Sequence, residues 1–188
     1  MDSPAHETGR DAAGATGARH VREALERHEA SLMAYAVSIA GDLEMARDAV
    51  QDTFLRLCEQ PDGALDGHLL PWLFTVCRNR ILDVRRKERR MTPLEAHEIE
   101  ERPAQGPSPA DDAASHDDAR RARQLLAGLP ANQREVVRLR FEHHLSYDEI
   151  ARVTSLTATN VGFLLHTALR TLRTRMEASP LPRLGANP

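Results

Sequence analysis

The stretch LPANQREVVRLRFEHHLSYDEIARVTSLTATNVGFLLHTALRTLRTRM, residues 129–176, decides how the rest of this chain is read. Ser146 stands before a short apolar run and Glu149 follows three residues later, which is the spacing of a capping box. The box predicts a helix from Tyr147 to Val153. Thr154, Ser155 and Leu156 form a break of the length that joins two crossed helices. Thr157 then caps a second helix, on which Val161, Leu165, Ala168 and Leu172 recur at i, i+4, i+7 and i+11. The pair predicts a helix-turn-helix over residues 146–171, and that geometry presents the start of its second helix to a DNA major groove. Just upstream, Pro130 opens a helix from Ala131 to about His144, and another is expected from near Ala119 to Gly128.

The chain has 188 residues, enough for one domain or two small ones. Apolar residues make up 41% and aromatic residues only 4%, so the cores must be rich in Leu, Val and Ala. No apolar run of about 18 residues exists, and no membrane span is expected. The opening MDSPAHETGRDAAGATGARH lacks the apolar run of a secretory signal, so a cytoplasmic location is expected. The two cysteines, Cys58 and Cys77, both fall inside apolar helical patterns and read as buried, reduced thiols. His143 and His144 point to different faces of a helix, and no metal site or cofactor is expected. No phosphate loop, nucleophile elbow or carboxylate pair is present, so the chain does not read as an enzyme.

Further toward the N-terminus, residues 1–19 read as a disordered leader. Val21, Leu25, Leu32, Tyr35, Ala36 and Ile39 have helical spacing, and Gly41 ends that helix. Asp42 caps the next, with Ala46, Val50, Phe54 and Leu57 as its core stripe. The segment PDGALDGHLL, residues 61–70, is a loop, and Pro71 fits the first turn of a third helix. Its apolar positions are Leu73, Val76, Cys77, Ile81 and Val84. Residues 91–118 hold four prolines and no amphipathic period, so they read as a linker, and residues 179–188 as a disordered tail. The expected fold is all-α. Two small helical domains, residues 20–90 and 119–178, are joined by a flexible acidic linker.

A net charge of −3 conceals segregation. Residues 78–90 carry seven basic and two acidic side chains, and residues 120–178 carry ten basic and five acidic. Between them, residues 92–118 carry one basic and eight acidic groups. Phosphates sense such local patches, not the net charge. The acidic linker is therefore a candidate shield for the two basic blocks.

Both halves resemble one family, the bacterial RNA polymerase sigma factors of the extracytoplasmic-function group. DAVQDTFLRL, Asp48 to Leu57, resembles the polymerase-binding helix of region 2. PWLFTVCRNRILDVRRKERR, Pro71 to Arg90, resembles its helix for the promoter −10 element. LPANQREVVRLRF and LSYDEIA are similar to region 4. The resemblance implies that region 2 grips the clamp helices of the polymerase's largest subunit, melts DNA and captures a −10 base. It implies that region 4 docks on the flap of the other large subunit and reads the −35 element. It also implies a possible anti-sigma partner. The alternative is a stand-alone helix-turn-helix regulator of duplex DNA, which leaves residues 48–57 and 79–90 unexplained.

The candidate residues follow from these matches. Asp48, Gln51, Asp52 and Arg56 share a face at i, i+3, i+4 and i+8, opposite the core stripe, and are expected to meet polymerase. Asn79, Arg80, Asp83, Arg85, Arg86 and Lys87 are expected at the −10 DNA, where Asn and Asp can bond base edges and Arg can hold phosphate. In the loop, Asp62, Gly63, Asp66 and His68 are all candidates for the captured base. Trp72 reads as a core anchor or a DNA-facing wedge. At the −35 element the candidates are Thr157, Thr159, Asn160, Phe163, His166 and Arg170. The family commonly places Lys, Ser and Arg early in this helix, where the chain has Gly162, Phe163 and Leu164, with Thr167 at a later Arg place. That departure removes cationic contacts and predicts weaker or different −35 binding. Phe163 is expected to pack within its domain first, to meet a partner protein second and DNA third. Gly162 within a helix implies a close approach by a neighbour.

Overall fold

The computed structural model describes residues 8–61, 63–91 and 113–178. Every regular element among them is a helix. The chain divides into two compact units.

The first unit holds α1 (Thr8–Ala40), α2 (Leu43–Cys58) and α3 (Leu69–Met91). Ala24, Leu32, Tyr35, Ala36 and Ala40 form the buried stripe of α1. Gly41 takes φ +66 and donates its N–H to the Val37 carbonyl, which stops the helix. Asp42 then caps α2, its carboxylate accepting the Met45 N–H at 2.8 Å. Ala46, Ala49, Val50, Thr53, Phe54 and Leu57 are buried along α2. The Thr53 hydroxyl donates to the Ala49 carbonyl at 2.7 Å, so burying it leaves no orphaned donor. From α3 come Leu73, Phe74, Cys77 and Ile81, all fully buried. The Tyr35 and Phe74 rings meet edge to face, 4.8 Å between centroids at 79°. This geometry adds about 0.5–1.5 kcal/mol to the area they bury.

Several expectations are corrected here. The leader reading fails for residues 8–19, which are the first turns of α1. Gly9, Gly14 and Gly17 lower the helix propensity of this stretch, which is helical by continuation from the segment anchored further along. Residues 1–7 lie outside the described residues. Leu25 is 37% exposed, and Ala24, one position back, carries the core contact. One residue turns a helix by about 100°, so a stripe drawn one position off points to solvent. Val76 and Val84 are only half-buried, while Phe74, absent from the expected stripe, is at the centre of the core. α3 starts at Leu69, two residues before Pro71, which still falls in the first turn where its missing N–H costs nothing. Cys77 is buried as expected, but Cys58 is exposed.

The second unit holds α4 (Ala113–Ala127), α5 (Ala131–Phe141), α7 (Ala158–Ala178) and most of α6 (Tyr147–Thr154). α4 begins six residues earlier than expected, so residues 113–118 are helix and not linker. Residues 92–112 and 179–188 lie outside the described residues. α5 stops at Phe141, short of His144. His144 takes the left-handed conformation at φ +57, and the Leu145 N–H then reaches the Leu139 carbonyl at 3.0 Å. Leu129, Val136, Leu139, Leu145, Ile150, Val161 and Ala168 make the core. Leu172, expected in the same stripe, is half-buried.

The helix-turn-helix forms as its caps dictate. Glu149 accepts the Ser146 N–H at 2.7 Å, and Ser146 Oγ accepts the Glu149 N–H at 3.3 Å. Ser155 turns the chain at φ +58, with the Leu156 N–H closing on the Ala151 carbonyl. Thr157 Oγ1 then accepts the Asn160 N–H at 3.2 Å and starts α7.

Candidate protein and nucleic-acid interfaces

With the α2 core stripe turned inward, Asp48, Gln51, Leu55 and Arg56 are exposed on its other side and Asp52 is half-buried among them. Asp52 Oδ2 accepts the Arg56 Nε–H at 2.9 Å, one helical turn on. The Arg80 Nε, reaching across from α3, lies 3.9 Å from the same oxygen. All four expected residues are thus brought to one surface. Leu55, 58% exposed at its centre, is the residue that sequence reasoning missed. Its signal was present, because a leucine at i+7 from Asp48 and i+4 from Gln51 has to share their face.

Along α3 the six expected residues separate. Asn79, Asp83 and Arg86, at i, i+4 and i+7, form an exposed crown opposite the core, with Lys87 beside it. The Arg86 guanidinium pairs with Asp83 at 2.8 Å. Arg80 leans to one flank, onto Asp52. Arg85 leans to the other flank and donates to the carbonyl of Ala40, the last residue of α1, at 2.9 Å. It therefore satisfies an orphaned carbonyl at a helix end, where a cation is also favoured by the dipole. Arg85 thus stands on the flank, apart from the exposed crown of Asn79, Asp83 and Arg86. The loop before α3 is a run of tight turns, with Gly63 and Gly67 both at φ +76. Asp66 and His68 are exposed there, and Asp62 lies outside the described residues. Trp72 is half-buried, neither a fully enclosed anchor nor a free wedge.

The second unit sorts its arginines in the same way. Arg134 donates to the Ala127 carbonyl at the end of α4, at 3.0 Å. Arg140 donates to the Leu145 carbonyl at 2.9 Å and lies over the Tyr147 ring, 5.6 Å from its centroid. Burial pulls the Arg138 guanidinium below its ordinary range. Burial also pushes the His143 imidazole down to about 4, with the Arg138 charge and then His144 adding to the effect. Arg134 and Arg140 thus close on backbone carbonyls, and the exposed cations at the end of α6 and along α7 are Arg152, Arg170, Arg173 and Arg175.

On α7, Thr159, Phe163, His166 and Arg170 recur at i, i+4, i+7 and i+11, opposite the buried Val161, Leu165 and Ala168. All four are exposed, as are Thr157 and Asn160. Phe163 is 69% exposed, so the expectation that it packs within its own domain is overturned. Nor does Gly162 reflect crowding. A Cβ built there would lie 3.5 Å from the Tyr147 ring, which is ordinary contact.

Comparison with known proteins agrees with this division. Residues 24–91 match the model for sigma-70 region 2, and residues 119–172 match that for sigma-70 region 4. These are domains of transcription initiation factors and not of a catalytic family. The chain is 32% identical over 167 residues to the ECF RNA polymerase sigma factor SigL of Mycobacterium tuberculosis, covering 88% of this chain and 93% of that one. It superposes with a TM-score of 0.61 on the sigma factor RpoE of Bartonella quintana, solved with the anti-sigma factor NepR. The two are 25% identical, with 85% of this chain and 98% of that chain covered. The fold is also that of CnrH, solved with the cytosolic domain of CnrY, at a TM-score of 0.59 over 90% of this chain and 96% of that one, with 22% identity. The chain belongs to the extracytoplasmic-function group of bacterial RNA polymerase sigma factors.

Among the described residues, no helix is long and apolar enough to cross a membrane.

Proposed function

We propose that this sigma factor divides its work by unit. The first, near residues 20–90, grips core polymerase through the α2 face of Asp48, Gln51, Asp52, Leu55 and Arg56. It opens and holds −10 DNA through Asn79, Asp83, Arg86 and Lys87 on α3, with Arg80 at the border of the two surfaces. The second, near residues 119–178, reads the −35 element through Thr157, Thr159, Asn160, Phe163, His166 and Arg170. The Thr157 hydroxyl accepts the Asn160 N–H and keeps its own proton to offer a phosphate. The expected location is the cytoplasm, where core polymerase is found, and an anti-sigma factor is a further expected partner.

One observation carries this reading. α2 turns a charged face with an exposed leucine at its centre away from a core that is already filled. A stand-alone regulator of duplex DNA would have no use for that face.

The test is run-off transcription with purified core polymerase, this chain and a fragment library from the source genome. Specific transcripts that need both components support the proposal. Core polymerase that ignores the chain overturns it.

A further inference from the structure

Phe163 is a large apolar side chain left 69% exposed in the second turn of a helix whose core stripe is complete without it. Its neighbours on the same face, Thr159, His166 and Arg170, are polar or cationic. The other exposed apolar groups of α7, Leu169 and Met176, stand roughly a third of a turn or more around the helix, so α7 itself presents no contiguous apolar patch around Phe163. A protein partner favours such a patch with a polar rim. No acidic residue appears along α7 before Glu177, so the charge along this helix suits a polyanion. A lone aromatic ring among groups that bond phosphates and base edges has one fitting target in a major groove, the C5 methyl of thymine.

Building on the assignment of α7 to the −35 element, we infer that Phe163 is a specificity-determining residue that reads a thymine there by apolar contact with its methyl group. Thr159 and Arg170, one turn before and two turns after, hold the helix in register on the flanking backbone. Gly162, directly before Phe163, removes one side chain from beside the ring.

The experiment uses the holoenzyme, this chain with core polymerase, on a promoter found by run-off transcription. Each thymine of the −35 duplex is replaced singly by deoxyuridine, which keeps the base pair and deletes only the methyl group. Affinity is read by competition. The wild-type holoenzyme should lose roughly fourfold at one or two positions, the effect of one buried methyl-sized group. Phe163→Ala should bind the unmodified duplex more weakly and be indifferent at those positions, with Phe163→Leu in between. Because the ring is exposed, the melting temperature of both variants should match the wild type. Wild-type indifference at every thymine overturns the inference, as does Phe163→Ala retaining the wild-type pattern. A Phe163→Ala defect with no thymine signal assigns the ring to a protein contact and also overturns it. If scrambling the −35 sequence changes nothing and Thr159→Ala and Arg170→Ala are silent, the assignment of α7 has failed instead.

Discussion

Asp52 on α2 and Arg80 on α3 share a carboxylate oxygen with Arg56: Arg80 Nε stands 3.9 Å from Asp52 Oδ2, which accepts the Arg56 Nε–H at 2.9 Å. The proposed polymerase face and the proposed −10 helix are thus joined at one charge. Both ends of the Asp52–Arg80 pair are about one-third exposed, so it adds little to stability and its consequence is orientation.

Replacing Asp52 with Arg and Gln51 with Ala should abolish association with core polymerase while changing unfolding free energy by no more than about 1 kcal/mol. Co-sedimentation with core and a urea melt separate the two effects. Retained association would move the interface off α2.

The arginines of α3 should part company. Arg85→Ala removes the donor from the Ala40 carbonyl and should destabilise the first unit by about 1 kcal/mol. Arg86→Ala with Lys87→Ala should leave stability nearly unchanged. It should instead weaken promoter opening and lower its salt slope by roughly one to two charges. Permanganate footprinting across a salt series reads the second effect and thermal melting the first.

Stability should fall with acid through His143. In the unfolded chain its imidazole takes a proton near 6.5, but in the folded chain not until about 4. Between those values the unfolded state binds the extra proton, so stability declines as pH drops through the window and is level outside it. The full loss is on the order of 3 kcal/mol. Urea unfolding at pH 7, 6, 5 and 4.5 measures it, and His143→Gln should flatten the dependence.

Gly162→Ala should stabilise the chain by up to about 1 kcal/mol, because the new Cβ meets the Tyr147 ring at a comfortable 3.5 Å while the helix gains propensity. A lower melting temperature would show that α6 and α7 pack more tightly than this.

A thiol reagent should label Cys58 quickly and Cys77 only on unfolding. Burial pushes the Cys77 thiol up to about 12, offset in part by a hydrogen bond with Thr53. Mass spectrometry of singly labelled protein should place the adduct on Cys58.

Much of this was legible beforehand because it is local. Gly41, Asp42, Ser146 with Glu149, and Thr157 all act within a turn of themselves, and each cap formed where its residue type placed it. The stripes Ala46–Val50–Phe54–Leu57 and Val161–Leu165–Ala168 follow from 3.6 residues per turn alone. Helix starts were less legible. Residues 8–19 and 113–118 are helical by continuation from packed segments, which no residue within them announces.

The sequence by itself therefore determined the helical class, the two units, the turn between α6 and α7 and the family. The tertiary structure alone decided which arginines close on backbone carbonyls and which stay exposed. Arg85, Arg134 and Arg140 each end on a backbone carbonyl, two of them at the last residue of another helix. It alone showed that Phe163 faces solvent and that Cys58 does too. The physical reason is reach. Helical period gives the angle at which a side chain leaves its own axis. The end point of a long guanidinium, or the cover over a ring, depends on what a neighbouring helix puts within a few ångströms of it.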